Sequence, residues 1–137
     1  MRFEGRVWKD GKFWLIEVPA LEAITQGRTK AEALVMVKDL LETMANEPGF
    51  EAQVEAMSGD RFEVTANDAK TLVALLLRRQ REVQGLTLAE AAQRLQQTSR
   101  NAYARYEQGK AMPTVEKLEE LLNAVVPGKR LVWRLAS

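Results

Sequence analysis

Residues 85–125, GLTLAEAAQRLQQTSRNAYARYEQGKAMPTVEKLEELLNAV, decide the fold of the second half of this chain. They read as three short amphipathic helices joined by tight, capped turns. Thr87 is followed three positions on by Glu90, the pairing of a reciprocal capping box, and Ala91, Ala92 and Leu95 give the helix it opens a thin apolar face. A face that thin lets a second helix cross close by. Residues 99–107 supply one, with Tyr103 and Tyr106 directed inward at helical spacing. Left outward are Ser99, Arg100, Asn101, Ala104 and Arg105, with Thr98 immediately before them. Arginine pairs bidentately with guanine and asparagine with adenine, while small Ser and Ala let a helix seat in a major groove. Thr98, Ser99, Arg100, Asn101, Ala104 and Arg105 are therefore the candidate DNA-reading residues. Gly109 can take the left-handed conformation that stops a helix, and Thr114 after Pro113 can cap a third helix, Val115–Val125. The free amides at that start, with Lys110 beside them, form a candidate phosphate clamp. Taken singly, each feature is also what an ordinary helical bundle with a solvated surface shows; their order and spacing together carry the reading.

That order, Leu86-Thr87, Ala92, Leu95, then Tyr106-Glu107-Gln108-Gly109-Lys110 and Pro113, resembles the Xre type of helix-turn-helix over residues 70–125. The resemblance implies binding of double-stranded operator DNA through the second of the three helices. Anchored at Glu107, the turn Gln96-Gln97-Thr98 is one residue longer than the usual pattern. The start of the recognition helix is thus fixed only to within one position.

The first 65 residues have a different texture. Residues 2–9 read as a strand, Asp10-Gly11 as a hairpin turn, and residues 12–18 as a second strand with Trp14, Ile16 and Val18 on one face and Phe13 and Leu15 on the other. A strand apolar on both faces belongs inside a covered sheet or at an interface. Pro19 ends it, and residues 21–26 suit a short third strand. Thr29 can cap a helix running to about Asn46 with Leu34, Val37, Leu41 and Met44 as its buried stripe. Pro48-Gly49 stops that helix, and residues 51–57 and 61–65 alternate around Ser58-Gly59-Asp60 as a second hairpin. The expected fold class is α+β: a small N-terminal sheet of β-β-β-α-β-β order with one packed helix, followed by an all-α helix-turn-helix domain. Asn67 or Asp68 can cap the next helix, so the expected domains are residues 1–66 and 67–137, joined by a short linker at 66–71.

Trp14 through Val18, Pro19, Thr25-Gln26-Gly27, Thr29 and Glu32-Ala33 resemble the N-terminal domain of the HicB antitoxin family, with Glu22-Ala23-Ile24 where that family usually has a Gly-Cys pair. The resemblance implies a truncated, partial ribonuclease-H-like unit of β-β-β-α-β order and, as partner, a small HicA-type toxin that cleaves RNA. The same family often appends a DNA-binding domain, so both halves together imply an antitoxin of a type II toxin-antitoxin system that represses its own operon. Trp8, Phe13 and Trp14 are the candidate toxin anchors, since aromatic side chains dominate binding hot spots, although a small domain also needs such residues for its core. The alternative reading is a stand-alone Xre-type regulator whose first domain senses a small molecule, in a cavity between sheet and helix, or another protein.

Composition narrows the field further. The 137 residues are 46% hydrophobic and 28% charged with a formal net charge of +1, an ordinary globular balance with no overall basic excess. The cations instead cluster: Arg78, Arg79, Arg81, Arg94, Arg100, Arg105 and Lys110 lie around the proposed reader. With no cysteine and no histidine, thiol chemistry, a thiolate zinc site and the commonest acid-base group are absent. Ribonuclease-H chemistry needs several carboxylates converging on paired metal ions. Asp10 and Asp60 are better placed as turn residues, and no spacing among Glu4, Glu17, Glu22, Glu32, Asp39, Glu42, Glu51, Glu55 and Glu63 forces three acids together. The expectation is a protein that is no enzyme and takes no cofactor or metal, without a membrane span and cytoplasmic by default. Because one helix-turn-helix reads few base pairs, two copies on half-sites about 34–36 Å apart are expected. The helix Val115–Val125 and a tail in which Leu131, Trp133 and Leu135 alternate as a short closing strand are candidates to join them.

Overall fold

The computed structural model describes residues 1–96 and 100–136. Strands β1 (Phe3–Asp10) and β2 (Phe13–Val18) form a hairpin whose turn places Gly11 at φ +63°. Pro19 cannot continue the ladder, and Pro19–Leu21 makes a single 3-10 turn closed by the Glu22 amide donating to the Pro19 carbonyl. Then come β3 (Ala23–Gly27), helix α1 (Lys30–Ala45), β4 (Ala52–Ala56) and β5 (Arg61–Ala66). Thr29 caps α1 as expected, its hydroxyl oxygen accepting from the Glu32 amide at 3.0 Å. The buried stripe of α1 is Ala33, Val37 and Leu41; Leu34 and Met44 flank it, partly buried, because the helix meets the sheet one position round from the expected line.

All strand pairs are antiparallel, in the order β3-β2-β1-β5-β4. Alternation puts Val7, Ile16, Val18, Ala23, Phe62 and Val64 on the covered face, all essentially inaccessible. The opposite face carries Glu4, Arg6, Trp8, Phe13, Leu15 and Ile24, and these residues are exposed or half-buried. The second hairpin thus pairs with β1, closing a mixed α+β unit with one face covered and one face open.

Asp68 caps the next helix, α2 (Ala69–Val83), accepting from the Lys70 amide at 3.0 Å and the Thr71 hydroxyl at 2.7 Å. Residues Thr71 to Leu77 of α2 are buried on every side, as in a helix enclosed by other elements. It packs on the 3-10 turn and α1 on one side and on α4 (Arg100–Glu107) and α5 (Val115–Val125) on the other. One continuous core results, running from Ile16 through Leu75 to Leu121. The expected linker is pinned as well: the Asn67 side chain accepts from the Glu51 amide at 2.9 Å and donates to the Gly49 carbonyl at 2.8 Å.

The expected closing strand at the tail does not form. A strand needs a neighbour, and no strand of the sheet pairs with residues 127–136. Leu131 packs on the core, but Val132 is 83% exposed, Trp133 54% and Leu135 fully so.

Candidate nucleic-acid interface

Helix α3 (Leu88–Arg94) starts from the capping box its sequence announces: the Thr87 hydroxyl oxygen accepts from the Glu90 amide at 3.1 Å, and the Glu90 carboxylate accepts from the Thr87 amide at 3.2 Å. Its small Ala91 and Ala92 are buried where α4 crosses. Gln96, just past α3, holds φ +57°, a left-handed turn made without glycine.

Helix α4 turns Tyr103, Ala104 and Glu107 inward, an i, i+1, i+4 stripe, and Asn101, Ala102, Arg105 and Gln108 outward; Arg100 stands in line with Ala104 and Glu107 and is exposed because it opens the helix. Ala104 was expected on the reading face and is instead 6% exposed. The small outward residue is Ala102, because the inner stripe is set by Tyr103 and Glu107 rather than by the two tyrosines, and Tyr106 is only half-buried. Asn101 and Arg105 occupy the outward face, Arg100 is exposed at the start of the helix, and Lys110 is exposed beyond its end. Thr98 and Ser99 lie outside the described residues. Gly109, at φ +69°, ends α4, with the Lys110 amide reaching back to the Arg105 carbonyl at 3.0 Å. Thr114 then caps α5 through the Lys117 amide at 3.1 Å, and exposed Glu116 shares that first turn with the amides proposed for phosphate.

Much of the cationic cluster is spent on structure. Arg81 donates to Glu107 twice, Nε to Oε2 at 2.7 Å and Nη2 to Oε1 at 2.9 Å, and a third time to the Leu86 carbonyl at 2.7 Å. Both side chains are nearly excluded from solvent. The Glu107 carboxylate raises the Arg81 pKa, and burial followed by the same carboxylate pushes the Tyr103 phenol far above its ordinary value. Arg79 donates to the Leu21 and Glu22 carbonyls, Arg78 to the Met44 carbonyl and Arg94 to the Ala124 carbonyl. Those four arginines hold the bundle together. The cations left on the α4 side are Arg100, Arg105 and Lys110.

From the sequence, Arg81 belongs to the cation cluster around the proposed reader and Glu107 only to the helix-turn-helix pattern. Their separation, 26 positions, is visible only once α2 and α4 touch.

On the open sheet face, Trp8 pairs across the ladder with Leu15, and the Arg6 guanidinium stands 5.8 Å from the Trp8 ring centroid. Phe13 shares that face and is 41% exposed. Trp14 does not join them: it lies on the covered face, packed against the core, so it is unsuited as a surface anchor. Among the described residues no group of three or more carboxylates could hold a metal ion. A cleft of about 320 Å³ separates the end of α1, α2 and the end of α4, lined by Asn46, Glu47, Arg78, Gln108 and Lys110 among others.

The family described as "Helix-turn-helix domain" matches residues 72–125, the span from α2 through α5. No curated protein matches the chain. The match places a helix-turn-helix domain at residues 72–125, which suggests a DNA-binding regulator, and no described helix is long and apolar enough to cross a membrane.

Proposed function

We propose that this protein is an operator-binding repressor of the antitoxin kind, which reads DNA with α4 and holds a protein partner on its N-terminal sheet. The observation that carries the DNA half is Asn101 and Arg105 on the outward face, with Arg100 exposed at the helix start, on a helix locked from behind by Arg81 and Glu107, inside the span that matches the helix-turn-helix family. Exposed arginine and asparagine side chains match the hydrogen-bonding edges of guanine and adenine. Lys110 at the helix end supplies a sequence-independent phosphate contact.

The partner half rests on the Trp14–Val18 and Thr25-Gln26-Gly27 resemblance to HicB antitoxins, together with the open sheet face bearing Trp8, Phe13, Leu15 and Ile24. An RNA-cleaving toxin of HicA type, covered by that face, is the partner we assign. The protein itself is read as a binder rather than an enzyme.

The test has two arms. Gel shifts with the DNA upstream of the protein's own operon should show a specific complex that Arg100→Ala weakens. Co-expression with the adjacent reading frame should relieve that product's toxicity and yield a copurifying complex. A specific DNA complex without any partner would leave the regulator and remove the antitoxin. Loss of both would remove the proposal. The sensing alternative has one observation of its own, the cleft between α1, α2 and α4; the space between sheet and α1, where a cavity was anticipated, is filled by Val7, Ile16, Ala33, Val37 and Leu41.

A further inference from the structure

Helix α4 is eight residues long and turns three side chains inward, and one of the three is a carboxylate. The apolar part of its contact is Tyr103 and Ala104, where α4 crosses the small Ala91 and Ala92 of α3. Apolar burial has no direction of its own, and methyl groups offer little to stop a short helix from turning about its axis. The Tyr103 hydroxyl adds none, since it has no hydrogen-bond partner among the described residues.

The contact between Arg81 and Glu107 differs in kind. A guanidinium is planar, and its fork meets both carboxylate oxygens in one orientation. Its remaining nitrogen, Nη1, donates to the Leu86 carbonyl at 2.7 Å, so the fork cannot swing to follow a turning helix. The preceding residue, Gln80, is buried and donates to the Ala20 carbonyl at 2.7 Å, which anchors this stretch of α2 to the sheet unit. A helix advances about 100° per residue. Asn101 precedes Tyr103 by two positions and Arg105 precedes Glu107 by two, so both stand across the helix from the Tyr103–Glu107 line. What holds Glu107 inward therefore aims Asn101 and Arg105 outward. Bidentate base contacts need both hydrogen bonds at once, so they depend on that aim.

We propose that Arg81 and Glu107 are positioning residues for base reading: buried behind α4, they set its rotation about its own axis and with it the aim of Asn101 and Arg105. The inference rests on the DNA reading proposed above and adds the source of its discrimination. A buried ion pair gains little stability over apolar residues of similar volume, and here its contribution is orientation.

Arg81→Met and Glu107→Leu in one chain test it. The exchange removes one positive and one negative charge, so the net charge stays +1. Circular dichroism should show the double variant folded. Because Arg100, Arg105 and Lys110 are untouched, its affinity for DNA of scrambled sequence should stay within about twofold of the parent, with the same salt slope. Its preference for the operator over scrambled DNA should fall about 30-fold, the size of one lost bidentate base contact. Arg81→Lys, which keeps the charge without the fork, should lie between the two. A merely structural pair would instead shift operator and scrambled DNA together.

The orientation of α4 is read without DNA. The chain has no cysteine, so spin labels on Ala102→Cys and Thr43→Cys, both at exposed positions, report one distance between α4 and α1. The parent should give one narrow distance and the double variant a shifted or broadened one. A folded double variant that keeps the parent's operator preference, or keeps its label distance, overturns the proposal. If the double variant does not fold, Arg81→Lys carries both measurements with the same outcomes. A parent with no operator preference removes the DNA reading instead, and the label distance alone then decides whether the pair orients α4.

Discussion

Arg81 and Glu107 meet as a two-pronged ion pair at 2.7 and 2.9 Å, joining the C-terminal part of α2 to the last turn of α4. Arg79 and Gln80, the two residues before Arg81, donate to the carbonyls of Ala20, Leu21 and Glu22 in the sheet unit. One turn of α2 therefore fixes α4 relative to the N-terminal sheet. Removing one partner strands the other as a buried charge, which costs about 3–5 kcal/mol. Arg81→Met should lower the unfolding free energy in urea by that amount, and Arg81→Met with Glu107→Leu together should recover much of it. A single variant as stable as the parent would show that the pair is not buried in solution.

Reversing the positions of the two α4 alanines separates surface from core. Ala102→Glu should abolish operator binding in a gel shift with the thermal midpoint unchanged, since Ala102 is outward. Ala104→Leu should instead destabilise by about 1–3 kcal/mol through overpacking. Lys110→Ala should weaken binding to every sequence and shallow the salt dependence by about one unit, whereas Arg100→Ala should lose about 1–3 kcal/mol and relax preference at one base pair. Unchanged sequence preference in Arg100→Ala would shift the reading role to Arg105.

Acid should lower stability at two carboxylates, Asp68 and Glu42. The Thr71 hydroxyl, then the Thr71 and Lys70 amides, hold the Asp68 carboxyl below the ordinary aspartate range, and the Lys38 ammonium does the same for Glu42. Folding thus favours the ionised forms. Their contribution is complete above the unfolded values near ~3.9 and ~4.3 and is lost as pH falls through the lower folded values. With no histidine to titrate, urea unfolding free energies should be level from about pH 8 to 5 and fall below about pH 4. Asp68→Asn keeps a capping side chain but should flatten part of the acid limb.

Gly27 closes the Thr25-Gln26-Gly27 segment where α1 begins, and a Cβ there would lie 2.5 Å from the Ala33 backbone nitrogen. Neither backbone can yield without moving the helix off the sheet. Gly27→Ala should cost about 2–3 kcal/mol, the range of overpacked cores, while Gly128→Ala, in open space, should stay within about 0.5 kcal/mol. Equal effects in thermal unfolding would contradict the close approach.

The two tryptophans of the first hairpin should separate by assay. Trp8→Ala, on the open face, should weaken partner capture by about 2 kcal/mol or more with stability nearly unchanged. Trp14→Ala, packed against the core, should lower stability instead. Pull-down and melting measurements on both variants check the pair, and a Trp8 variant that captures partner normally would move the interface off this face.

The sequence by itself determined the local structure. Capping pairs Thr29 with Glu32, Thr87 with Glu90 and Thr114 with Lys117 lie within one turn of chain, and the hairpin turn at Gly11 and the helix stop at Gly109 follow from single-residue torsions. Such effects act over four residues or fewer and are legible without a fold. Tertiary structure alone decided what α2 does. Residues 72–77 are apolar all round and gave no direction, and only the contact of α2 with its neighbours showed that Arg78, Arg79 and Arg81 serve carbonyls and Glu107 rather than DNA. It also decided that Ala102 faces out and Ala104 in, because one helical step of rotation, about 100°, is set by what Tyr103 and Glu107 pack against. The tail shows the same limit: alternation in Leu131, Trp133 and Leu135 permits a strand, but a strand exists only where another backbone offers its hydrogen bonds.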